Sequence, residues 1–89
     1  MTTIIVRHTV ADFDKWKPFF EENRGFRESH GITDGSVYRD ASAANDVVIV
    51  MQVEDLARAK EFVASPDLKK TMQQAGVISE PAVWFLNDV

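Results

Sequence analysis

Val10-Ala11-Asp12-Phe13-Asp14-Lys15-Trp16-Lys17-Pro18-Phe19 and Val53-Glu54-Asp55-Leu56-Ala57-Arg58-Ala59-Lys60-Glu61-Phe62 carry one pattern twice, offset by the 43 residues between Val10 and Val53. Valine, aspartate, lysine and phenylalanine coincide in the two stretches. In each, a β-branched residue ends an extended segment, and an aspartate follows whose carboxylate can accept a free first-turn N–H. Apolar residues at helical spacing come next. Each half therefore leaves a strand, caps a helix and turns an apolar stripe onto the sheet, which is the pseudo-twofold logic of a split βαβ arrangement.

Working outward, Thr3 to Val10 is rich in β-branched residues and reads as the first strand. Phe13 to His30 reads as one helix, with aromatics at Phe13, Trp16, Phe19, Phe20 and Phe26 and with Gly31 as a left-handed C-cap. Pro18 lacks the N–H that would bond one turn back, so a kink or a tighter first turn is expected there. Gly35 to Asp40 is the second strand, Ala41 to Asp46 its polar connection, and Val47 to Val53 the third strand. A helix from Asp55 through Ala64 restarts at Ser65-Pro66-Asp67, with an N-cap, a proline at the first helical position and an acid at the positive dipole end, and stops at Gly76. Pro81 to Asn87 is the fourth strand. The expected class is α+β: a ferredoxin-like βαββαβ domain spanning residues 1–89, with a four-stranded antiparallel sheet and its helices on one face.

The offset also sorts the faces of the sheet. Alternate side chains share a face, so Ile4, Val6, His8 and Val10 fall with Val47, Ile49, Met51 and Val53 on an almost wholly apolar face, assigned to the helices. Ile5, Arg7 and Thr9 fall with Val48, Val50 and Gln52 on the other. Either Val83 and Phe85 or Trp84 and Leu86 join that second face. It is too apolar to face water, and the same face of a second subunit is the simplest cover. A homodimer through the sheet face is the expectation.

Composition excludes several classes. The formal net charge is −4, which argues against nucleic acid, because a phosphate-backbone partner needs clustered Lys and Arg. There is no cysteine, which removes disulfides, thiol nucleophiles and thiolate metal sites and suits a reducing cytoplasm. The two histidines, at 8 and 30, offer no zinc spacing. The glycines form no phosphate-cradling loop, and no serine stands in a nucleophile elbow. The amino terminus turns charged after three apolar residues, and no apolar run approaches the roughly 18 residues of a membrane span. The expectation is a cytoplasmic protein with no membrane partner and no metal.

At this point the chain resembles the dimeric α/β-barrel superfamily, in particular the small proteins grouped with antibiotic-biosynthesis monooxygenases. The residues that carry the resemblance are Val6-Arg7-His8 leading to Asp12-Phe13-Asp14-Lys15-Trp16, His30-Gly31 before Val37-Tyr38-Arg39-Asp40, Ser65-Pro66-Asp67-Leu68, and Ala75-Gly76-Val77 before Trp84-Phe85-Leu86. The superfamily holds cofactor-free quinone-forming monooxygenases, haem-degrading enzymes, lactone isomerases, polyketide cyclases and members without known activity, so the resemblance speaks for the fold more than for a reaction. It implies a cavity between sheet and helices beside the first helix, which His8, Trp16, Phe20, Met51 and Trp84 would line, and a small aromatic or polyketide-like ligand. The Asn, Trp and His set of haem-degrading members cannot be placed on this chain, so no haem or other dissociable cofactor is expected.

Each candidate has a plainer reading beside it. His8 interrupts an apolar strand face, where an imidazole needs a polar partner or a ligand; it is either a general base or a structural histidine on a backbone carbonyl. Tyr38 either donates to a substrate oxygen or packs its ring on an edge strand. Trp16 and Phe20 either stack on a planar ligand or belong to the core. His30 reads as a cap at a helix C-terminus. Arg7 is expected among apolar neighbours, paired with Asp40 or Asp88 or clamping a substrate carboxylate. Three functions follow. The first is a small-molecule enzyme with monooxygenase-like or cyclase/isomerase-like chemistry on an aromatic or enolisable substrate. The second is a non-catalytic ligand-binding or stress-associated dimeric module, and the third is an association domain whose cavity is filled by Trp16, Phe20, Met51 and Met72.

Overall fold

The two aspartates cap as their spacing requires. In the computed structural model, which describes residues 2–89 apart from the side chain of Asp34, one Asp12 carboxylate oxygen accepts from the N–H groups of Asp14 at 3.0 Å and Lys15 at 3.4 Å. These bonds open helix α1, Phe13–Glu22. Asp55 accepts from the Arg58 N–H at 3.1 Å and opens α3, Leu56–Val63. The Ser65 hydroxyl oxygen accepts from the Leu68 N–H at 3.0 Å and, with Pro66 at the first position, opens α4, Pro66–Gln74. Each cap satisfies donors that the first turn leaves without a helical partner.

The first helical segment is not one helix. It breaks at Asn23, after which α2 covers Arg24–Ser29. The chain stays helical through Pro18. The break has a local cause: the Asn23 backbone N–H and its side-chain amide both donate to the Phe19 carbonyl, at 3.2 and 3.1 Å, and a side chain that competes for a helix carbonyl loosens the turn.

Strands β1 (Thr2–Thr9), β2 (Ile32–Asp40), β3 (Ala43–Val53) and β4 (Ala82–Asn87) form an antiparallel sheet in the order β2-β3-β1-β4. With the helices placed between β1 and β2 and between β3 and β4, this is the α+β, ferredoxin-like βαββαβ topology. The hairpin is tighter than its polar sequence suggests. Only Ala41 and Ser42 separate β2 from β3, because the Asp40 carboxylate accepts from the Ser42 N–H at 2.9 Å and closes the turn. Asn45 and Asp46 consequently lie on a strand and not in a loop.

The core is the helix-facing side of the sheet. Ile4, Val6, Val47, Ile49, Met51 and Val53 are buried there with Trp16, Ala59 and Phe62 from the helices. The register settles strand four: Val83 stands opposite Val6 and Phe85 opposite Ile4, so these two turn toward the helices, while Trp84 stands opposite Ile5 and Leu86 opposite Thr3 on the uncovered face. Ile5, Val48 and Val50 are only partly buried on that face, and Trp84 and Leu86 are 47% and 45% exposed.

Arg7 also lies on the uncovered face, but its partner is Asp46, at 3.3 Å, and not Asp40 or Asp88. Asp46 stands opposite Thr9 on β3 and accepts from the Thr9 hydroxyl at 2.6 Å. Those two donors, Thr9 first and Arg7 second, hold the Asp46 carboxyl below its ordinary range. The expectation failed because it placed Asp46 in a loop. No helix among the described residues is long and apolar enough to cross a membrane.

Candidate active site

A cavity of about 770 Å³ lies between the helix-facing side of the sheet, the α1–α2 arm and the α3–α4 arm. Sheet residues Ile4, Val6, Ile49 and Met51 form its floor, Trp16 and Phe20 one wall, and Leu68 and Met72 the other. The side chains expected to fill this space in the association reading line it and leave it open.

His8 is one of its lining residues. The imidazole is 4% exposed, faces the Trp16 indole edge-on at 5.5 Å between centroids, and lines the cavity. It lies just beyond the end of strand pairing on one side: β4 begins opposite Arg7, and past that point β1 is bordered by the 76–79 segment, through the Ile78 N–H on the Thr9 carbonyl at 2.9 Å and the Thr9 N–H on the Ser79 hydroxyl at 2.7 Å. This pairing satisfies backbone groups of β1. The Nδ1 atom of His8 is buried without a hydrogen-bond partner. Burial keeps the imidazole pKa below its ordinary 6.5, an effect only partly offset by its own backbone. The ring is therefore neutral at pH 7 and keeps a lone pair for a proton.

Trp16 (3% exposed), Phe20 and Met51 are brought to the same cavity as His8. The Trp16 and Phe20 rings stack at 5.2 Å, continuing the row that His8 begins. Phe20 also needs Gly35: a β-carbon there would stand 3.1 Å from the Phe20 ring, beside the register shift between Thr33 and Ser36 in β2.

Two expected residues lie elsewhere. Trp84 is on the uncovered face, because it pairs with Ile5, so it does not line the cavity. Tyr38 pairs with Val48, one residue out of phase with Val47, the neighbour of His8. It is 57% exposed and borders an adjoining cleft of about 980 Å³ along β2, which shares Phe20, Arg27 and Ile32 with the first cavity. His8 and Tyr38 cannot act on one ligand within the first cavity. His30 is the cap at the end of α2, with Nδ1 2.9 Å from the Phe26 carbonyl oxygen and its ring against Phe26 and Phe62.

Arg27 was not among the sequence candidates. It is 9% exposed, donates to the Phe20 carbonyl at 2.6 Å, and lays its guanidinium over the Phe20 ring at 3.8 Å. Its signal was present: positions 16, 20, 23 and 27 follow the helical i, i+4, i+7, i+11 stripe, and a cation on the apolar side of such a stripe is a buried cation. Among the described residues no group of three or more His, Asp or Glu could hold a metal ion.

No protein-family model matches the chain, and no curated protein does. Solved structures do. A proposed antibiotic biosynthesis monooxygenase from Bordetella bronchiseptica superposes with a TM-score of 0.78 at 15% identity, covering 99% of this chain and 96% of that one. The fold is that of the antibiotic biosynthesis monooxygenases. SnoaB, a cofactor-independent oxygenase from Streptomyces nogalater, superposes with a TM-score of 0.70 at 17% identity over 99% of this chain and 94% of its own. A proposed monooxygenase of the same kind from Caulobacter crescentus gives 0.73 at 11% identity, over 99% and 89%. The resemblance read from the sequence is thereby borne out for the fold.

Proposed function

We propose that the chain is a single-domain, small-molecule enzyme whose reaction begins with proton removal by His8 from an acidic phenol or enolisable carbon held against Trp16, Phe20 and Met51. The observation that carries this reading is His8, an imidazole that lines a largely apolar cavity and whose buried Nδ1 has no hydrogen-bond partner among the described residues. A neutral imidazole in that position takes a proton without first losing one. An apolar wall of aromatic rings suits a planar substrate.

Oxygenation is the chemistry that the likeness to SnoaB favours. An activated methylene of a polycyclic phenol, once deprotonated, is electron-rich enough to reduce dioxygen. The balanced outcome is a carbonyl and water: one oxygen atom enters the product, the other leaves with the two hydrogens, and the substrate supplies all four electrons. The protein's part is to hold the ring, remove the proton and keep bulk water away.

The test is oxygen uptake together with quinone absorbance, using a tricyclic anthrone as the probe. Wild-type protein should accelerate both above the spontaneous rate, and His8→Ala should lower kcat/KM by roughly 10²- to 10⁴-fold, the usual yield of a positioned base, with its retained fold checked by thermal unfolding. Unchanged turnover in that variant removes His8 from the mechanism. Saturable binding without any product would make the chain a binder. In the same reading a second copy covers the open sheet face carrying Ile5, Val48, Val50, Trp84 and Leu86.

A further inference from the structure

The cavity wall contains a buried cation that the reading above leaves unused. Arg27 is in none of the ion pairs formed among the described residues. Nearby acids on the same arm are already taken: Glu21 by Lys17 at 2.7 Å and Glu28 by Arg24 at 3.0 Å. One Nη1 contact to the Phe20 carbonyl holds the guanidinium in place, and the remaining donors of its planar fork make no hydrogen bond among the described residues. Burial and the neighbouring Arg24 both work against its charge, and only Glu28 favours it. A guanidinium does not lose its proton in a protein, and among the described residues only the His8 Nδ1 is enclosed without a partner, so the remaining Arg27 nitrogens are open to an anion entering the cavity.

The position of Arg27 says what kind of anion. His8 and Trp16 are 5.5 Å apart, Trp16 and Phe20 5.2 Å, and Arg27 lies 3.8 Å over Phe20. All four side chains line the one cavity. The base is at one end of an aromatic row, and a cation that is in no ion pair among the described residues is at the other. We propose that the cavity takes a planar aromatic carboxylate, its ring system lying along Trp16 and Phe20, its acidic O–H or C–H at His8 and its carboxylate on Arg27. A body of two or three fused rings with a polar group at each end can lie along this row, and the guanidinium fork matches a carboxylate in two parallel bonds. The inference rests on the reading of this cavity as a small-molecule site and adds the substrate class and the orientation.

Calorimetric titration separates the two ideas. 6-Hydroxy-2-naphthoate carries a hydroxyl and a carboxylate at opposite ends, and 2-naphthol is the same ring system without the carboxylate. Wild-type protein at pH 7.5 should bind the naphthoate at least tenfold more tightly. Arg27→Gln should bring the ratio of the two affinities, both measured in that variant, to about one, and Arg27→Lys should keep part of the preference. Should Arg27→Gln melt early, the wild-type ratio and its decline in Arg27→Lys decide. A naphthoate preference that survives Arg27→Gln, or no preference in wild type while 2-naphthol binds, overturns the role of Arg27 and leaves the cavity reading standing. Binding of neither compound overturns both.

Discussion

Replacing His8 by leucine should stabilise the protein while removing the proposed base. The Nδ1 atom is buried and makes no hydrogen bond, and an unsatisfied buried polar atom costs about 1–3 kcal/mol. Leucine is close to histidine in volume and carries no polar atom. It does forfeit the edge-on contact with Trp16 at 5.5 Å, a loss of about 0.5–1.5 kcal/mol. The balance is a gain of about 1 kcal/mol at pH 7.5, which for a domain of this size raises Tm by roughly 4–8 °C. Acid should widen the gap. The folded-state pKa of His8 is lowered by burial from 6.5, so as pH falls below 6.5 the unfolded imidazole takes up a proton that the folded one refuses. Wild-type stability then falls with a slope of up to about 1.4 kcal/mol per pH unit from this group, and that loss is absent from the variant. His30 is present in both proteins, so its contribution cancels in the difference. The assay is thermal and urea unfolding at pH 7.5 and 5.5, at one protein concentration so that any association is held fixed. A variant no more stable than wild type at pH 7.5, with a gap that does not grow at pH 5.5, would refute the assignment of an unsatisfied imidazole.

Three further outcomes test the fold and its uncovered face. Asp12→Ala removes an acceptor from two first-turn N–H groups and should cost about 1 kcal/mol in urea unfolding. Gly31→Ala puts a β-carbon at φ +74° and 3.0 Å from the Asp55 side chain; a loss of about 1–2 kcal/mol or more is expected from the backbone conformation and the crowding together. Trp84→Glu, at a 47% exposed position, should turn a concentration-dependent dimer into a monomer by sedimentation with little change in the melting of the dissociated chain. A wild-type protein of 10.0 kDa that stays monomeric at all concentrations contradicts the dimer reading directly.

The parts of the fold that could be read from the sequence are those in which a single local rule decides. Asp12, Asp55 and Ser65 cap where their spacing puts them, because an N-cap needs only a short acceptor before an apolar stripe. Strands one and three sort their faces by simple alternation, since only one parity of each is almost wholly apolar. Strand four could not be sorted in that way: Val83 and Phe85 are as apolar as Trp84 and Leu86, and only the pairing of Trp84 with Ile5 decides between them. The hairpin misled for the opposite reason. Its strand residues Asn45 and Asp46 are polar because they serve Ala11 and Thr9 across the sheet, and a window of sequence cannot show a partner more than thirty residues away.

The site divides along the same line. His8 stood out because alternation placed an imidazole among valines and isoleucines, and Trp16, Phe20 and Met51 followed from the shared face. Tyr38 depended on the phase of β2, which the register shift between Thr33 and Ser36 resets; no alternation rule carries across a bulge. Arg27 was legible and was passed over, because a search for apolar residues on a helical stripe discards the one cation among them. That cation gives the cavity a direction. With His8 alone, any acidic planar molecule could enter in either sense, whereas a fixed positive charge beyond Phe20 makes one orientation differ from its reverse by a whole ion pair. The aromatic row between them can then hold the ring without having to choose its end.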